Sequence, residues 1–227
     1  MKSLLIPVAT YRVQLSPSFG FKNASEIVEY LFDLGIRCIY ASPIFKAKKG
    51  SSHGYDVVSL NELNLELGAI EEFEELIKKS KEYGIGWLQD IVPNHMAYDN
   101  QNRMLMDILE NGVSSEYLNF FDVEWNHPYE SLRGKLLAPF LGRLYGEALE
   151  DAEITLKYES DGFTVNYYDL KLPLKIESYL TIITYRLKVL KKRLGEDHPD
   201  FIKFLAILYS LKNLPVSRED IGERYGQ

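Results

Sequence analysis

The chain has little of what defines several protein classes. It contains one cysteine, Cys38, in 227 residues, so no disulfide can form within the chain, and this favours a reducing compartment. No apolar run is long enough to span a membrane, and the N-terminal MKSLLIPVAT has no small-residue cleavage site for a signal peptidase. We therefore expect a cytoplasmic protein with no membrane partner.

The signatures of common cofactors and of nucleic-acid binding are missing as well. The four histidines lie at 53, 95, 127 and 198 and form neither H-E-x-x-H nor a Cys-His pattern, so no zinc site is predicted. There is no Walker lysine loop and no G-x-G-x-x-G after the first predicted strand. The net charge of −7 and the lack of a Lys/Arg cluster argue against nucleic acid. We expect no cofactor and no metal.

The first 92 residues instead show a regular alternation of strand and helix patterns. Apolar runs at 4–14, 36–42 and 85–92 predict strands, and the second and third are expected to be buried on both faces. Periodic apolar residues at 23–34 and 70–83 predict the helices between them. This βαβαβ order is typical of a parallel sheet in an α/β protein.

After residue 95 the alternation stops. Residues 96–175 are rich in turns and aromatics, with a predicted hairpin at 153–168. Two helices are predicted at 178–194 and 199–214, and Ser217 and Asp220 have the spacing of a helix cap near the end. The chain is therefore divided into residues 1–95, with three β/α units, and residues 96–227.

The stretch LQDIVPNH at 88–95 places an acid within the third predicted strand. A buried carboxylate is costly unless it is paired or functional. In β/α folds the C-terminal ends of the strands carry the active site, and Asp90, Asn94 and His95 lie at such an end. The alternative is that Asp90 is a hydrogen-bonded acid that only fixes the following loop.

The loop after the second strand contains GSSHGYDVV at 50–58. Gly50 and Gly54 allow tight backbone turns, while His53, Tyr55 and Asp56 offer hydrogen bonds and a stacking surface. A solvated loop can have the same composition. Because both segments follow strands of one parallel sheet, we expect them at the same rim as a joint binding site.

These residues resemble those of a known family. The sequence is similar to the N-terminal part of the maltooligosyl trehalose synthases, a branch of the α-amylase superfamily. HGYD and DIVPNH are shared across the superfamily, whereas GKLLAPFLGRLYGEAL at 134–149 and the hairpin after it resemble the trehalose-forming branch. The other matching stretches are ATYRVQL at 9–15, LGIRCIYASPIF at 34–45, ELNLELGAIEEF at 62–73, DILENG at 107–112 and FFDVEW at 120–125.

The resemblance implies a fold and a set of roles. The fold would be strands 1–3 of a (β/α)8 TIM barrel with a helix-rich insertion after strand 3, and the chain would end before strands 4–8. Tyr55 would stack under the glucose ring, Asp56 would brace its loop, and Asp90 would support the catalytic centre. In some relatives the residue at the position of Asn94 binds calcium, but no clustered acids complete a calcium site in this chain. The implied substrate-binding residues are His53, Tyr55, Asp56, Asp90, Asn94 and His95, with His95 donating to a sugar hydroxyl.

The resemblance also implies what is missing. The family's nucleophilic Asp lies in a Gly-x-Arg-x-Asp context on strand 4 and its general-acid Glu on strand 5, and residues 96–227 contain no such motif. Retaining glycoside chemistry needs two carboxylates about 5 Å apart. We therefore predict no catalytic residue in this chain and no activity for the chain alone.

The predicted partners are a maltooligosaccharide and the remainder of the barrel, from the same or a second polypeptide. The complete enzyme would convert a terminal α-1,4 bond into an α-1,1 bond within one substrate chain, which is an isomerase reaction. Two alternatives stay open. One is another α-amylase-type hydrolase, and the other is a non-catalytic maltooligosaccharide-binding fragment.

Overall fold

The structure, a computed structural model, describes residues 7–159 and 162–213. The chain divides into unit 1, residues 1–103, and unit 2, residues 104–227. Three sequence predictions fall partly or wholly outside the described residues. They are the start of the first strand at Leu4, the turn of the predicted hairpin at Ser160 and Asp161, and the C-terminal region with the helix end at Leu214 and the helix cap at Ser217.

Residues 96–103 belong to unit 1, and two contacts attach them to residues 48–57 of that unit. The Ala97 N–H donates to the Val57 carbonyl at 2.8 Å. The Asp99 carboxylate is buried and lies 3.3 Å from the Lys48 ammonium group. The division therefore falls several residues later than the change of sequence pattern at residue 95.

Strands and helices alternate through most of unit 1, as the sequence pattern predicted. In chain order its elements are β1 (Thr10–Val13), α1 (Phe21–Glu26), α2 (Val28–Asp33), β2 (Cys38–Ala41), β3 (Phe45–Ala47), β4 (Val57–Leu63), α3 (Ile70–Glu82) and β5 (Gly86–Gln89). The parallel sheet has the strand order β1–β2–β5. Arg12 on β1 pairs with Tyr40 on β2, and Tyr40 pairs with Leu88 on β5.

The core of unit 1 lies between one face of this sheet and the helices. Ile39 and Ala41 of β2 are buried in a cluster with Phe21, Val28 and Leu76 from the three helices. Each such side chain contributes roughly 1.5–3 kcal/mol when fully buried. This packing fixes the sheet and so the positions of the strand ends.

The other face of the sheet is buried at Cys38 but open at Leu88. Leu88, in the same row as Arg12 and Tyr40, is 53% exposed. The expectation that the third strand is buried on both faces is therefore wrong for this structure, because helices α1 to α3 pack against one face only. This face, with Tyr40 and Leu88, also carries the polar side chains described below.

Hydrogen bonds from backbone N–H groups to side chains of the first turn mark the N-termini of α1 and α3. The predicted second helix is present as α3, and Glu72 in its first turn accepts from the Ala69 N–H at 3.0 Å. The first predicted helix, expected at 23–34, begins two residues earlier at Phe21 and is divided into α1 and α2. Asn23 is the third residue of α1, where its side chain accepts from the Gly20 N–H at 3.2 Å.

The antiparallel pair β3–β4 was not predicted, since its region was interpreted as a loop. β3 is only three residues long, and the register with β4 shifts twice, so neither strand has the regular pattern that sequence analysis detects. The pair matters because the loop between its strands, residues 48–56, carries His53, Tyr55 and Asp56.

Unit 2 contains the predicted hairpin, and a third strand extends it. The predicted helix at 178–194 is divided in two around Tyr185 and Arg186. In the described part of the chain, no helix is long and apolar enough to cross a membrane. The elements are α4 (Arg103–Asn111), α5 (Tyr145–Glu150), β6 (Ile154–Glu159), β7 (Gly162–Tyr167), β8 (Leu170–Pro173), α6 (Ile176–Thr184), α7 (Leu187–Leu194) and α8 (Pro199–Lys212).

Candidate functional site

Two of the predicted site residues meet directly at one end of the parallel sheet. The Tyr55 hydroxyl donates to Asp90 Oδ2 at 2.6 Å. The Tyr40 hydroxyl donates to the same oxygen at 3.0 Å. Tyr40 lies on β2, Tyr55 in the 48–56 loop and Asp90 directly after β5, so three separate segments converge on one carboxylate.

Asp90 lies just beyond the strand rather than in its middle. Its N–H donates to the Ala41 carbonyl at 2.9 Å, which continues the pairing of β5 with β2 by one residue. Asp90 is two residues past Leu88 and therefore on the same face of the sheet as Tyr40. The carboxylate is only half-buried and accepts two phenolic hydrogen bonds, so its cost is compensated.

Arg12 joins the cluster from β1. Its Nη2 donates to the Tyr55 hydroxyl oxygen at 2.7 Å, and its guanidinium carbon lies 5.7 Å from the centre of the Tyr40 ring. The hydrogen bond to Tyr55 raises the pKa of Arg12. The Tyr55 hydroxyl thus accepts from a cation and donates to an anion, which fixes the position of the ring.

Arg12 and Tyr40 were not predicted as site residues. A usable signal was present, since Arg12 interrupts an apolar strand in the same way that Asp90 does. The sequence could not show that both side chains point to one face at neighbouring register positions. That information depends on the pairing of β1, β2 and β5.

The pKa of Tyr55 is raised above its ordinary value of 10.0, first by the hydrogen bond to Asp90 and then by burial, against a smaller lowering by Arg12. A raised pKa means that the folded state holds the phenolic proton more tightly than the unfolded state does. The stabilisation is therefore fully present below about pH 10 and is lost as the pH rises through the raised folded value.

We expect the difference in unfolding free energy between the wild type and Tyr55→Phe to be constant from pH 7 to 9 and to shrink above pH 10. Tyr55→Phe lacks the titrating phenolic proton. The other tyrosines and lysines titrate in both proteins, so their contribution cancels in the difference between the two unfolding free energies. Urea denaturation at each pH measures the two free energies. A difference that stays constant beyond pH 11 would show that the Tyr55–Asp90 bond does not stabilise the fold.

The loop that carries Tyr55 is held by its own polar residues. The Ser51 hydroxyl donates to the Asp56 carboxylate and accepts from the Gly54 N–H at 3.0 Å. The Lys48 N–H donates to the Asp56 carbonyl at 2.9 Å. Asp56 therefore closes the loop with both its side chain and its backbone.

His53 connects the loop to the sheet and to Tyr55. Its carbonyl accepts from Gln14 Nε2, which follows β1, at 3.1 Å. Its ring nitrogen Nδ1 accepts from the Tyr55 N–H at 3.0 Å, and the two rings lie 6.0 Å apart at an angle of 32°. The His53 side chain therefore shapes the turn that presents Tyr55.

Gly54 allows this turn, and we expect Gly54→Ala to destabilise the protein by about 2 kcal/mol. Its φ is +79°, and an added Cβ would lie 3.1 Å from the Pro43 carbonyl oxygen. Gly50→Ala is the matched control, because Gly50 has a φ of +77° but no atom within 4 Å of the added Cβ. The control should cost about 1 kcal/mol for the backbone conformation alone. Equal losses in urea denaturation would mean that Pro43 moves away without cost.

Asn94 and His95 are not brought into the cluster. Both are exposed, and no hydrogen bond between described residues links either side chain to Tyr55 or Asp90. Their contact with a sugar therefore stays a prediction. Within the described residues, no group of three or more His, Cys, Asp or Glu could hold a metal ion.

The cluster is suited to hold a ligand rather than to attack one. Asp90 Oδ2 already accepts two hydrogen bonds, while no described residue donates to Oδ1. A hydroxyl group of a ligand can donate to Oδ1, and the fixed Tyr55 ring offers an apolar face beside it. A polyol with apolar ring faces fits this combination.

The family model of the alpha-amylase catalytic domain matches residues 22–167. A protein of Mycobacterium tuberculosis, provisionally named maltooligosyl trehalose synthase, is 36% identical over 173 residues, which cover 73% of this chain and 21% of that protein. The solved maltooligosyltrehalose synthase of Arthrobacter ramosus is 37% identical with a TM-score of 0.64, and the match covers 74% of this chain and 21% of that one. This chain thus spans about a fifth of the length of these relatives.

A cyclomaltodextrinase of Thermoanaerobacter pseudethanolicus is also similar, but over a shorter part. It is 35% identical over 108 residues, which cover 46% of this chain and 18% of that protein. The 173 residues matched by the M. tuberculosis protein are more than the 103 that unit 1 contains. The match to the M. tuberculosis protein therefore continues into unit 2.

Proposed function

The chain belongs to the α-amylase family, and from this membership we propose that it supplies the sugar-binding side of the active site of a trehalose-forming transglucosylase. The complete enzyme converts the terminal α-1,4 bond of a maltooligosaccharide into an α-1,1 bond within the same molecule. A cytoplasmic location, favoured by the single buried Cys38, is part of this proposal.

The observation that carries the proposal is the convergence of Tyr55 and Tyr40 on Asp90, with Arg12 hydrogen-bonded to the Tyr55 hydroxyl. The Tyr55 ring is held at its hydroxyl end by Arg12 and Asp90, and at its backbone by His53. A ring fixed in this way loses little freedom when a glucose unit stacks on it. Asp90 Oδ1 then accepts a hydrogen bond from a hydroxyl group of that glucose.

In this proposal Asp90 and Tyr55 position the sugar, and other residues break the bond. Retaining transglucosylation needs a nucleophilic carboxylate and a general acid about 5 Å apart. Asp90 is poorly placed for the first role, because two phenols already use its Oδ2. The chain also contains no Gly-x-Arg-x-Asp sequence. The reacting carboxylates therefore come from the remainder of the barrel.

The trehalose-forming branch is favoured over a hydrolase of the same family by the extent of similarity. The maltooligosyl trehalose synthase relative matches beyond the length of unit 1, while the cyclomaltodextrinase matches over little more than that length. The resemblance to the trehalose-forming branch therefore covers more of the chain.

We expect Tyr55→Ala to weaken the binding of maltotriose to the chain about tenfold, since loss of one stacked ring is worth up to ~1.5 kcal/mol. Saturation-transfer NMR on the sugar protons measures the binding. Tyr30→Ala is the matched control, because Tyr30 is 62% exposed on α2, on the helical layer of unit 1. Equal binding by both variants would contradict the role of Tyr55.

A further inference from the structure

Residues 125–134 of unit 2 form a closed loop with a buried base. The Gly134 N–H donates to the Trp125 carbonyl at 2.9 Å and so joins the two ends. The Trp125 side chain is 5% exposed and packs with Ile108 and Leu118. The loop is therefore anchored by a core side chain at the point where it closes.

The loop presents an aromatic ring to solvent. Tyr129 is 72% exposed and stacks on His127, with ring centres 5.4 Å apart at an angle of 30°. The Tyr129 N–H donates to His127 Nδ1 at 3.1 Å. Arg133 Nε donates to the His127 carbonyl at 3.4 Å, which holds a guanidinium group on the same turn.

The same geometry occurs in unit 1 at His53, Gly54 and Tyr55. There too the Tyr N–H donates to the His Nδ1, at 3.0 Å, and the rings meet at 32°. A His-x-Tyr sequence therefore builds the same ring presentation twice. A third turn has the same hydrogen bond, in which His198 Nδ1 accepts from the Asp200 N–H, but it caps α8 and carries no tyrosine. The histidine turn therefore presents an aromatic ring only where a tyrosine follows two residues later.

An exposed tyrosine contributes little to folding, because its ring gains little from burial. Tyr is instead well suited to contact a ligand, since its ring is rigid and amphipathic and loses few rotamers on binding. The combination of an open ring face and a guanidinium donor fits a sugar, whose C–H face stacks and whose hydroxyl groups accept hydrogen bonds. The net charge of −7 disfavours a nucleic-acid base as the stacking partner.

We propose that the turn of His127 and Tyr129 is a second sugar-binding contact, which stacks on a glucose unit of an α-1,4-glucan. This proposal rests on the proposed function for the identity of the sugar. It goes beyond that function because it adds a contact in unit 2 that is built from residues separate from the cluster around Asp90.

The two tryptophans of the chain give one reporter for each contact. Trp87 lies on β5 and faces the helices, but its indole N–H donates to Gln89 at 3.1 Å, and Gln89 Nε2 donates to the Asp90 carbonyl at 2.8 Å. Trp125 closes the loop of Tyr129. The full chain labelled with 5-fluorotryptophan gives two ¹⁹F resonances, which Trp87→Phe and Trp125→Phe assign.

We expect titration with maltoheptaose to shift both resonances to saturation. Tyr129→Ala should weaken the binding reported by Trp125 at least about tenfold and leave the response of Trp87 unchanged. Tyr129→Phe, which keeps the ring, should retain the Trp125 response. Tyr209→Ala is the matched control, because Tyr209 is also 72% exposed but lies on α8, and both responses should persist.

Each outcome separates the two proposals. A Trp125 resonance that does not move while Trp87 responds, or that moves equally in Tyr129→Ala, overturns the second contact and leaves the proposed function intact. A Trp125 response that Tyr129→Ala removes supports the second contact, and a silent Trp87 together with unchanged maltotriose binding in Tyr55→Ala would contradict the sugar site around Asp90.

Discussion

Asp90→Ala is expected to lower kcat/KM about 10³-fold in a full-length enzyme that carries this sequence. The substitution removes the carboxylate that accepts from both the Tyr40 and the Tyr55 hydroxyl groups. Arg12, which donates to the Tyr55 hydroxyl, then has no negative charge close to it in the cluster. Three side chains lose their positions in one step, which corresponds to ~4 kcal/mol of transition-state stabilisation. Steady-state kinetics with maltohexaose measures the change.

The effect on folding should be much smaller than the effect on activity. Asp90 is half-buried and lies just after β5, so we expect a loss of about 1–2 kcal/mol in unfolding free energy. Glu74→Ala on the exposed side of α3 is the control and should cost under ~0.5 kcal/mol with unchanged kinetics. Near-wild-type kcat/KM in Asp90→Ala would show that the cluster does not position the substrate.

The 227-residue chain alone should form no trehalosyl product, whereas the same chain together with the remainder of the barrel should form it. The reaction needs two carboxylates of defined separation. Asp90 is the acid at the strand ends, and its Oδ2 is already taken by two phenols. In the proposed account, the remaining barrel supplies the missing carboxylates and covers the exposed side chain of Leu88.

The measurement is incubation with maltohexaose followed by chromatography for a non-reducing product. A matched control is the assembled enzyme with Asp90→Ala, which tests whether any product depends on the site described here. Turnover by the chain alone would mean that other acids, such as Asp122 or Asp169, carry the reaction.

Sequence patterns predicted the elements that are long, regular and well capped. Helix α3 was predicted because its apolar stripe, its acidic first turn and its basic last turn all agree. The hairpin of β6 and β7 was predicted from the turn residues between two strand-like segments. In both elements the local sequence and the tertiary structure favour the same conformation.

The remaining features depend on contacts between distant residues. The pair β3–β4 has an irregular register, and its loop is closed by the Ser51–Asp56 hydrogen bond rather than by a turn sequence. Arg12 reaches Tyr55 across 43 positions of the chain, so its role appears only once β1 and β2 are paired. Asp90 and Tyr55 could be predicted as site residues, but their direct hydrogen bond could not.

The most direct test of the central claim is the product of a full-length enzyme that carries this sequence, acting on maltohexaose. If the chain supplies the sugar-binding side of a trehalose-forming site, mass spectrometry will show a product with the mass of maltohexaose. That product will have lost its reducing end and will carry an α-1,1 linkage by NMR. Shorter maltooligosaccharides with free reducing ends as the main products would contradict the claim and identify a hydrolase.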